Sequence, residues 1–123
     1  MFDSTITIAL ICYNSAKYIE ACLSSIMRAA PENPVLVIDN ASTDTTVAII
    51  QSSFPTARLI SLKQNIGHSA ACNLALQIAD TGWVLFLDHD TTVPQGWLEP
   101  LLELAENMWP HTAMVSSRAI LIT

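Results

Sequence analysis

Short apolar runs alternate along the chain with segments whose apolar residues recur every three or four positions. The apolar runs are rich in branched and aromatic side chains, which favours strands; they cover residues 5–12, 35–38, 58–62 and 83–87. The amphipathic segments predict helices; they cover residues 19–27, 47–54, 70–79 and 97–108. Strands that alternate with helices form βαβ units. The predicted fold class is therefore α/β, an open, mostly parallel, Rossmann-like sheet with helices on both faces.

Two of these runs carry further information about the sheet. The third run is flanked by Arg58 and Lys63, and charged flanks are typical of a strand at a sheet edge. The fourth run is continuously apolar, which predicts a strand buried on both faces. A last β-like run covers residues 113–122.

Short polar residues precede the first two predicted helices. Their side chains can accept hydrogen bonds from the free N–H groups at a helix start. Asn14 or Ser15 is the predicted cap of the first helix, and Ser42 or Thr43 that of the second. Asp44 would then lie in the first turn of the second helix, where the helix dipole favours a negative charge.

The fourth run ends on Asp88-His89-Asp90. In parallel sheets ligands bind at the carboxyl edge, so these carboxylates are candidates for holding Mg²⁺ or Mn²⁺ together with substrate phosphates. The alternative is that Asp88 caps a turn and Asp90 is a solvated loop residue. His89 would point away from its neighbours on an extended chain, so we interpret it as a shape or hydrogen-bonding residue.

Composition narrows the classes of partner. The 123 residues suffice for one domain, 1–123, and carry a net charge of -6. Without a basic run the chain is not expected to bind nucleic acid, and an anionic substrate would need a cation beside it. Only three glycines occur, so no glycine-rich phosphate loop can form.

The hydrophobic fraction is 51% and the charged fraction 13%, whereas soluble domains have about 25% charged residues. No apolar run approaches the length of a membrane span, and no signal peptide opens the chain. We therefore expect some apolar surface to be covered, either in a homo-oligomer or by a missing C-terminal half. Cys12, Cys22 and Cys72 lack metal-ligand spacing and are predicted to pack as small hydrophobic residues in a reducing cytoplasm.

Four motifs in order resemble the inverting glycosyltransferases of the GT-A fold, family 2. They are YN at 13–14, VIDNASTD at 37–44, NIGHSAACN at 65–73 and FLDHD at 86–90. The second and third motifs look most like the rhamnosyltransferase-type members of bacterial polysaccharide biosynthesis. The resemblance implies a nucleotide diphosphate sugar as donor, linked to UDP or dTDP, and a glycan or lipid-linked acceptor.

The resemblance also assigns residues to roles. Those implied to bind the nucleotide are Cys12, Tyr13, Asn14, Asp39, Asn65, Gly67, Asn73 and Asp88. Asp39 would accept the imino N–H of the base, and Asp44 would be a cap rather than a ligand. Asp90, together with Asp88, would ligate Mn²⁺ or Mg²⁺; His89 removes a charge from a position that is often acidic in the family's D-x-D motif.

An inverting transfer needs a carboxylate base to take the acceptor's proton, and in the family this base follows the D-x-D half. No residue of this chain is identified as that base, because Glu99, Glu103 and Glu106 follow an amphipathic pattern and are expected to be solvated. The chain is thus predicted to be the donor-binding half of a glycosyltransferase domain, cut out or truncated. The alternatives are a catalytically incomplete nucleotide-binding or self-associating module and, less favoured, a nucleotidyltransferase. The expected location is the cytoplasm, either free or peripheral to the inner face of the membrane.

Overall fold

The computed structural model describes residues 5–108. Its elements are β1 (Ile6–Cys12), α1 (Ile19–Ala29), β2 (Val35–Asp39), α2 (Thr46–Ser53), β3 (Arg58–Ser61), α3 (His68–Ile78), β4 (Trp83–Asp88) and α4 (Leu98–Met108). The four strands form one sheet in the order β3-β2-β1-β4, and all three pairings are parallel. The α/β class is confirmed, and so is the edge position of the third strand within residues 5–108. The β-like run at 113–122 lies outside the described residues.

Helices cover both faces of the sheet, as predicted. Alternate residues of β1 point to opposite faces, so Ile8 and Leu10 pack with α1, α2 and the start of α4, whereas Ala9 and Ile11 pack against α3. The α3 side of the core uses small residues, among them Ala71 and Ala75, which let the helix lie close to the sheet. Every residue of β1 and β2 is buried.

The prediction that the fourth strand is buried on both faces was wrong. Its residues are half-buried or exposed, and Phe86 is 38% exposed. The cause is topology: β4 pairs with β1 along one side only and forms an edge of the sheet within residues 5–108. Periodicity separates an apolar run from an alternating one, but it does not tell a central strand from an edge.

The helix starts also differ from prediction. The first helix begins at Ile19, and the Ser15 carbonyl, rather than a side chain, accepts bonds from the N–H groups of Tyr18 and Ile19. The second begins at Thr46 without a side-chain bond from its N-cap residue, Thr45. Asn14, Ser42 and Thr43 are thus not caps, because their polar atoms bond between two loops instead. The third helix starts at residue 68, two residues before the predicted start.

Several large apolar side chains remain exposed within the described part of the chain: Tyr13, Tyr18, Ile66, Leu76, Phe86, Leu104 and Met108. This agrees with the apolar surface expected from composition. No helix in residues 5–108 combines the length and the apolar character needed to cross a membrane.

Candidate functional site

A cavity of about 330 Å³ opens at the carboxyl edge of the sheet. Its lining consists of Ile11, Cys12, Tyr13, Asn40, Asn65, His68, Asp88, His89 and Asp90. Strand register explains this grouping, because Cys12 pairs with Asp39 on one side and Ile11 pairs with Asp88 on the other. The ends of β1, β2 and β4 therefore meet at one edge, the position at which α/β sheets bind ligands.

Asp88 and Asp90 are exposed and both line the cavity. The turn after β4 is closed by the Asp88 carbonyl, which accepts bonds from the Thr91 N–H at 3.2 Å and the Thr91 hydroxyl at 2.7 Å. The turn thus uses the backbone of Asp88 rather than its carboxylate. No group of three or more His, Cys, Asp or Glu side chains suited to a metal occurs within residues 5–108. Carboxylate oxygens are the type of ligand that Mg²⁺ and Mn²⁺ prefer, and these ions commonly complete their coordination with water and substrate phosphates.

His89 lies between these carboxylates and also lines the cavity. Its Nδ1 is buried without a hydrogen-bond partner among the described residues. Its ring centroid lies 6.3 Å from that of Tyr18. His89 thus borders the same cavity as its two neighbours, and its role as a shape or hydrogen-bonding residue stays a prediction.

Asp39 is not part of the cavity lining. The side chain is 1% exposed, and its two oxygens accept hydrogen bonds from the Ser42 hydroxyl at 2.5 Å and the Ser42 N–H at 2.9 Å. The residue therefore orders the loop after β2.

Asn14, one of the nucleotide-binding candidates, also lies off the cavity lining and joins the same loop. Its φ of 50° falls in the left-handed region that asparagine tolerates better than most residues. Its Oδ1 accepts from the Thr43 N–H at 2.8 Å, and its own N–H donates to Ser42 Oγ at 2.8 Å. We call Asn14, Asp39, Ser42, Thr43 and Asp44 the loop brace, because they join the β1–α1 and β2–α2 loops.

Asp44 completes the brace at the start of α2. Its Oδ1 accepts from the hydroxyl of Thr46 at 2.5 Å and from the Thr46 N–H at 3.0 Å, and its Oδ2 accepts from the Ala16 N–H at 3.1 Å. The bond from the Thr46 hydroxyl, followed by these backbone N–H groups, holds the pKa of Asp44 below its ordinary value of 3.8. The residue thus serves as a cap-like acceptor just before the helix.

This lowered pKa predicts a pH-dependent contribution to stability. A carboxyl group with a lower pKa in the folded state stabilises the fold above its unfolded pKa, and the contribution is lost as the pH falls through the folded pKa. We expect Asp44→Asn to unfold more easily than wild type at pH 5 to 7, and the gap to shrink below about pH 3.8. Urea unfolding at a series of pH values measures it; a gap that stays constant down to pH 2.5 would contradict the prediction.

Asn40 was not predicted as a site residue, yet it connects β2 to the loop before α3. Its Oδ1 accepts from the Ile66 N–H at 2.8 Å and its Nδ2 donates to the Gly67 carbonyl at 3.1 Å. The available signal was its place directly after a buried strand, next to Asp39. The side chain is buried, so it fixes the loop while also lining the cavity.

In the third motif, residues 65–73, some residues line the cavity and others lie on the surface outside it. Asn65 lines the cavity, and its Oδ1 accepts from the Gly67 N–H at 2.9 Å. Gly67 has a φ of +86°, a conformation that other residues rarely adopt, but it is not part of the lining. Asn73 is exposed on α3 and also lies off the lining, whereas His68, which was not among the predicted site residues, lies on it.

Cys12 and Cys22 are buried core residues, as predicted. Burial is the main cause that raises the pKa of Cys12 to about 12 and that of Cys22 to about 11. Both groups therefore remain protonated thiols at neutral pH. Cys12 also lines the cavity, where it offers backbone and shape rather than a thiolate.

The fold and this cavity define an α/β domain with a cavity at the carboxyl edge of a parallel sheet. The family model described as "Glycosyl transferase family 2" matches residues 7–121. The chain therefore belongs to glycosyltransferase family 2, a family of enzymes.

Two curated relatives illustrate the similarity. The chain is 37% identical over 86 residues to the SPbeta prophage-derived glycosyltransferase SunS of Bacillus subtilis, covering 70% of this chain and 20% of SunS. It is 33% identical over 103 residues to the succinoglycan biosynthesis protein ExoO of Rhizobium meliloti, covering 82% of this chain and 30% of ExoO. The chain thus spans less than a third of the length of either relative.

Solved structures of S. aureus TarS share the fold. TarS 1-349 in complex with UDP-GlcNAc superposes with a TM-score of 0.74 and 28% sequence identity, covering 84% of this chain and 31% of that one. The complex of TarS 1-349 with UDP matches with the same TM-score and identity. The α/β architecture described above is therefore GT-A-like.

Proposed function

We propose that the cavity binds a nucleotide diphosphate sugar, and that the whole protein transfers the sugar to a glycan or lipid-linked acceptor. The observation that carries the proposal is the cavity itself, where Asp88 and Asp90 lie beside the end of β1. The similar TarS fold was solved with UDP and with UDP-GlcNAc. We transfer that ligand class to this chain as part of the proposal.

The lining residues supply complementary contacts for such a donor. The Tyr13 ring is 48% exposed at the cavity and offers a face on which a base can stack. Asn65 supplies an amide for the ribose and sugar-phosphate region. The proposed bond from the base imino group to Asp39 requires the Ser42 loop to open slightly, because that carboxylate is 1% exposed.

Asp88 and Asp90 would hold Mn²⁺ or Mg²⁺ in the proposed complex. Such an ion would act as a Lewis acid toward the diphosphate leaving group. The contribution of this chain is to present two carboxylate oxygens at the end of one strand. Because His89 stands between the two aspartates, the motif carries one fewer negative charge than it would with an acidic residue at that position.

We propose an inverting transfer, whose carboxylate base lies outside residues 5–108. Glu99, Glu103 and Glu106 are exposed on α4, and none of them lines the cavity. This observation also favours the second candidate function, a nucleotide-binding module without turnover of its own. A rhamnosyl donor and a cytoplasmic or membrane-peripheral location remain parts of the first proposal.

Calorimetry with UDP and dTDP, each with and without Mn²⁺, tests the donor site. We expect micromolar to millimolar binding that strengthens when Mn²⁺ is added, and the tighter nucleotide identifies the base. Absence of binding by both nucleotides, with and without the metal, would overturn the proposal. A transfer assay then separates the two functions, because the module without a base should bind nucleotide but produce no glycoside.

A further inference from the structure

The cavity presents an imbalance of charge toward the ligand proposed above. Among the described residues, its lining contains two carboxylates, Asp88 and Asp90, and neither lysine nor arginine. A divalent cation between these carboxylates would only cancel their charge, since two negative charges meet two positive ones. The diphosphate of a nucleotide would then still need partners from the protein.

The described part of the lining contains two imidazole rings whose N–H can donate a hydrogen bond to a phosphate, those of His68 and His89. They differ in their surroundings. The Nδ1 of His89 is buried, and its ring is tilted relative to that of Tyr18 with the centroids 6.3 Å apart. His68 is exposed and comes from a different element, the start of α3. Of the two, His68 is therefore better suited to meet a ligand that enters from solvent.

Neighbouring groups fix the backbone that carries His68. Asn40, buried at the end of β2, bonds to the Ile66 N–H and the Gly67 carbonyl, and Asn65 bonds to the Gly67 N–H. Both backbone polar groups of Gly67, the residue before His68, are therefore hydrogen-bonded. This is the support that a binding side chain needs if it is to keep one position.

The contact between His68 and Cys72 also bears on the position of the imidazole proton. His68 Nε2 lies 3.5 Å from Cys72 Sγ. Burial raises the pKa of the Cys72 thiol, so at neutral pH it keeps its proton and can donate to Nε2. A neutral ring that accepts at Nε2 carries its own proton on Nδ1. In that tautomer Nδ1 is the donor available to a ligand.

We propose that His68 is a phosphate-binding residue that donates a hydrogen bond from its imidazole to the diphosphate of the donor nucleotide. The proposal rests on the proposed function, because it names the residue that meets the diphosphate in the same cavity. It differs from the metal hypothesis in that His68 contributes whether or not a cation is present. Uridine, which lacks phosphates, should not respond to the loss of His68.

The test compares His68→Ala and His68→Gln with wild type in binding UDP, uridine and inorganic pyrophosphate, measured by calorimetry or by ligand NMR. We expect His68→Ala to bind UDP and pyrophosphate about tenfold more weakly, with uridine unchanged. Glutamine retains a neutral donor, so His68→Gln should lie between the two. Gln77→Ala, exposed near the other end of α3, is the matched control and should behave as wild type.

Each other outcome has a distinct meaning. Equal UDP affinity in His68→Ala and wild type would overturn the inference and leave the proposed function standing. Equal losses for UDP and uridine would also overturn it, because His68 would then act on the base, the ribose or the fold. Failure of wild type to bind UDP, with pyrophosphate binding that depends on His68, would remove the proposed function and retain the phosphate site. No binding of either ligand would overturn both.

Discussion

Replacing Asp90 by asparagine is expected to abolish the strengthening of UDP binding by Mn²⁺. The substitution preserves the size of the side chain and removes one of the two carboxylates that the cavity offers to a cation. Hard divalent cations depend on charged oxygen ligands, and even the loss of groups that only support a metal ligand costs about 10- to 100-fold in affinity. We therefore expect the affinity for Mn²⁺ in the presence of UDP to fall by about 100-fold. Calorimetry and paramagnetic broadening by Mn²⁺ both measure it.

Asp80→Asn supplies the matched control for this prediction. Asp80 is an exposed carboxylate that does not line the cavity, so the same change of charge there should leave the metal effect as in wild type. Asp88→Asn should resemble Asp90→Asn if both carboxylates hold the ion. An Asp90→Asn protein in which Mn²⁺ still strengthens UDP binding to the wild-type extent would exclude Asp90 as a ligand.

The sequence predicted the architecture because its signals are local and repeated. Strand and helix periodicities alternate along the chain, and parallel βαβ units follow from that alternation. The position of Asp88 beside the end of β1 was also predictable, because the carboxyl ends of parallel strands lie at one edge of the sheet. The half-buried state of β4 was not predictable, because it depends on how many neighbours the strand has in the sheet.

The site shows a similar division. Acidic residues at strand ends carry a visible signal, which identified Asp88 and Asp90. Asn40 and His68 carry little signal of their own, since their place at the cavity depends on a bond between two loops that are 26 residues apart in sequence. Asn14 illustrates the converse: its polarity suggested a cap or a ligand contact, but its left-handed backbone turns the amide oxygen toward Thr43.

The loop brace explains why so many of the family-like residues lie off the cavity lining. Asn14 and Asp39 satisfy backbone N–H groups of the neighbouring loops, and those loops lead into α1 and α2. Tyr13, which lines the cavity, directly precedes Asn14 in the chain. The motif residues thus form two groups. Some, such as Tyr13, line the cavity, and others, such as Asn14 and Asp39, order the loops that carry the lining residues.

The second large effect is therefore expected at Asp39, as a loss of stability. Asp39→Ala removes the acceptor for the Ser42 N–H and hydroxyl, leaves a void at a buried position and frees the loop to which Asn14 is bonded. Hydrogen bonds to a charged group contribute about 1.5 to 3 kcal/mol each, and partial compensation by water reduces the sum. We expect the free energy of unfolding to fall by about 3 kcal/mol, measured by urea or thermal unfolding.

Matched variants separate the brace from a general effect of losing a carboxylate. Asp80→Ala, at an exposed position, should change stability by less than about 0.5 kcal/mol. Ser42→Ala removes the hydroxyl that bonds both Asp39 and the Asn14 N–H. Because the two side chains share one of their hydrogen bonds, the double variant Asp39→Ala, Ser42→Ala should lose less stability than the sum of the single losses. An Asp39→Ala protein as stable as Asp80→Ala would mean that Asp39 does not stabilise the fold. Strict additivity in the double variant would mean that the bond between Asp39 and the Ser42 hydroxyl contributes nothing to stability.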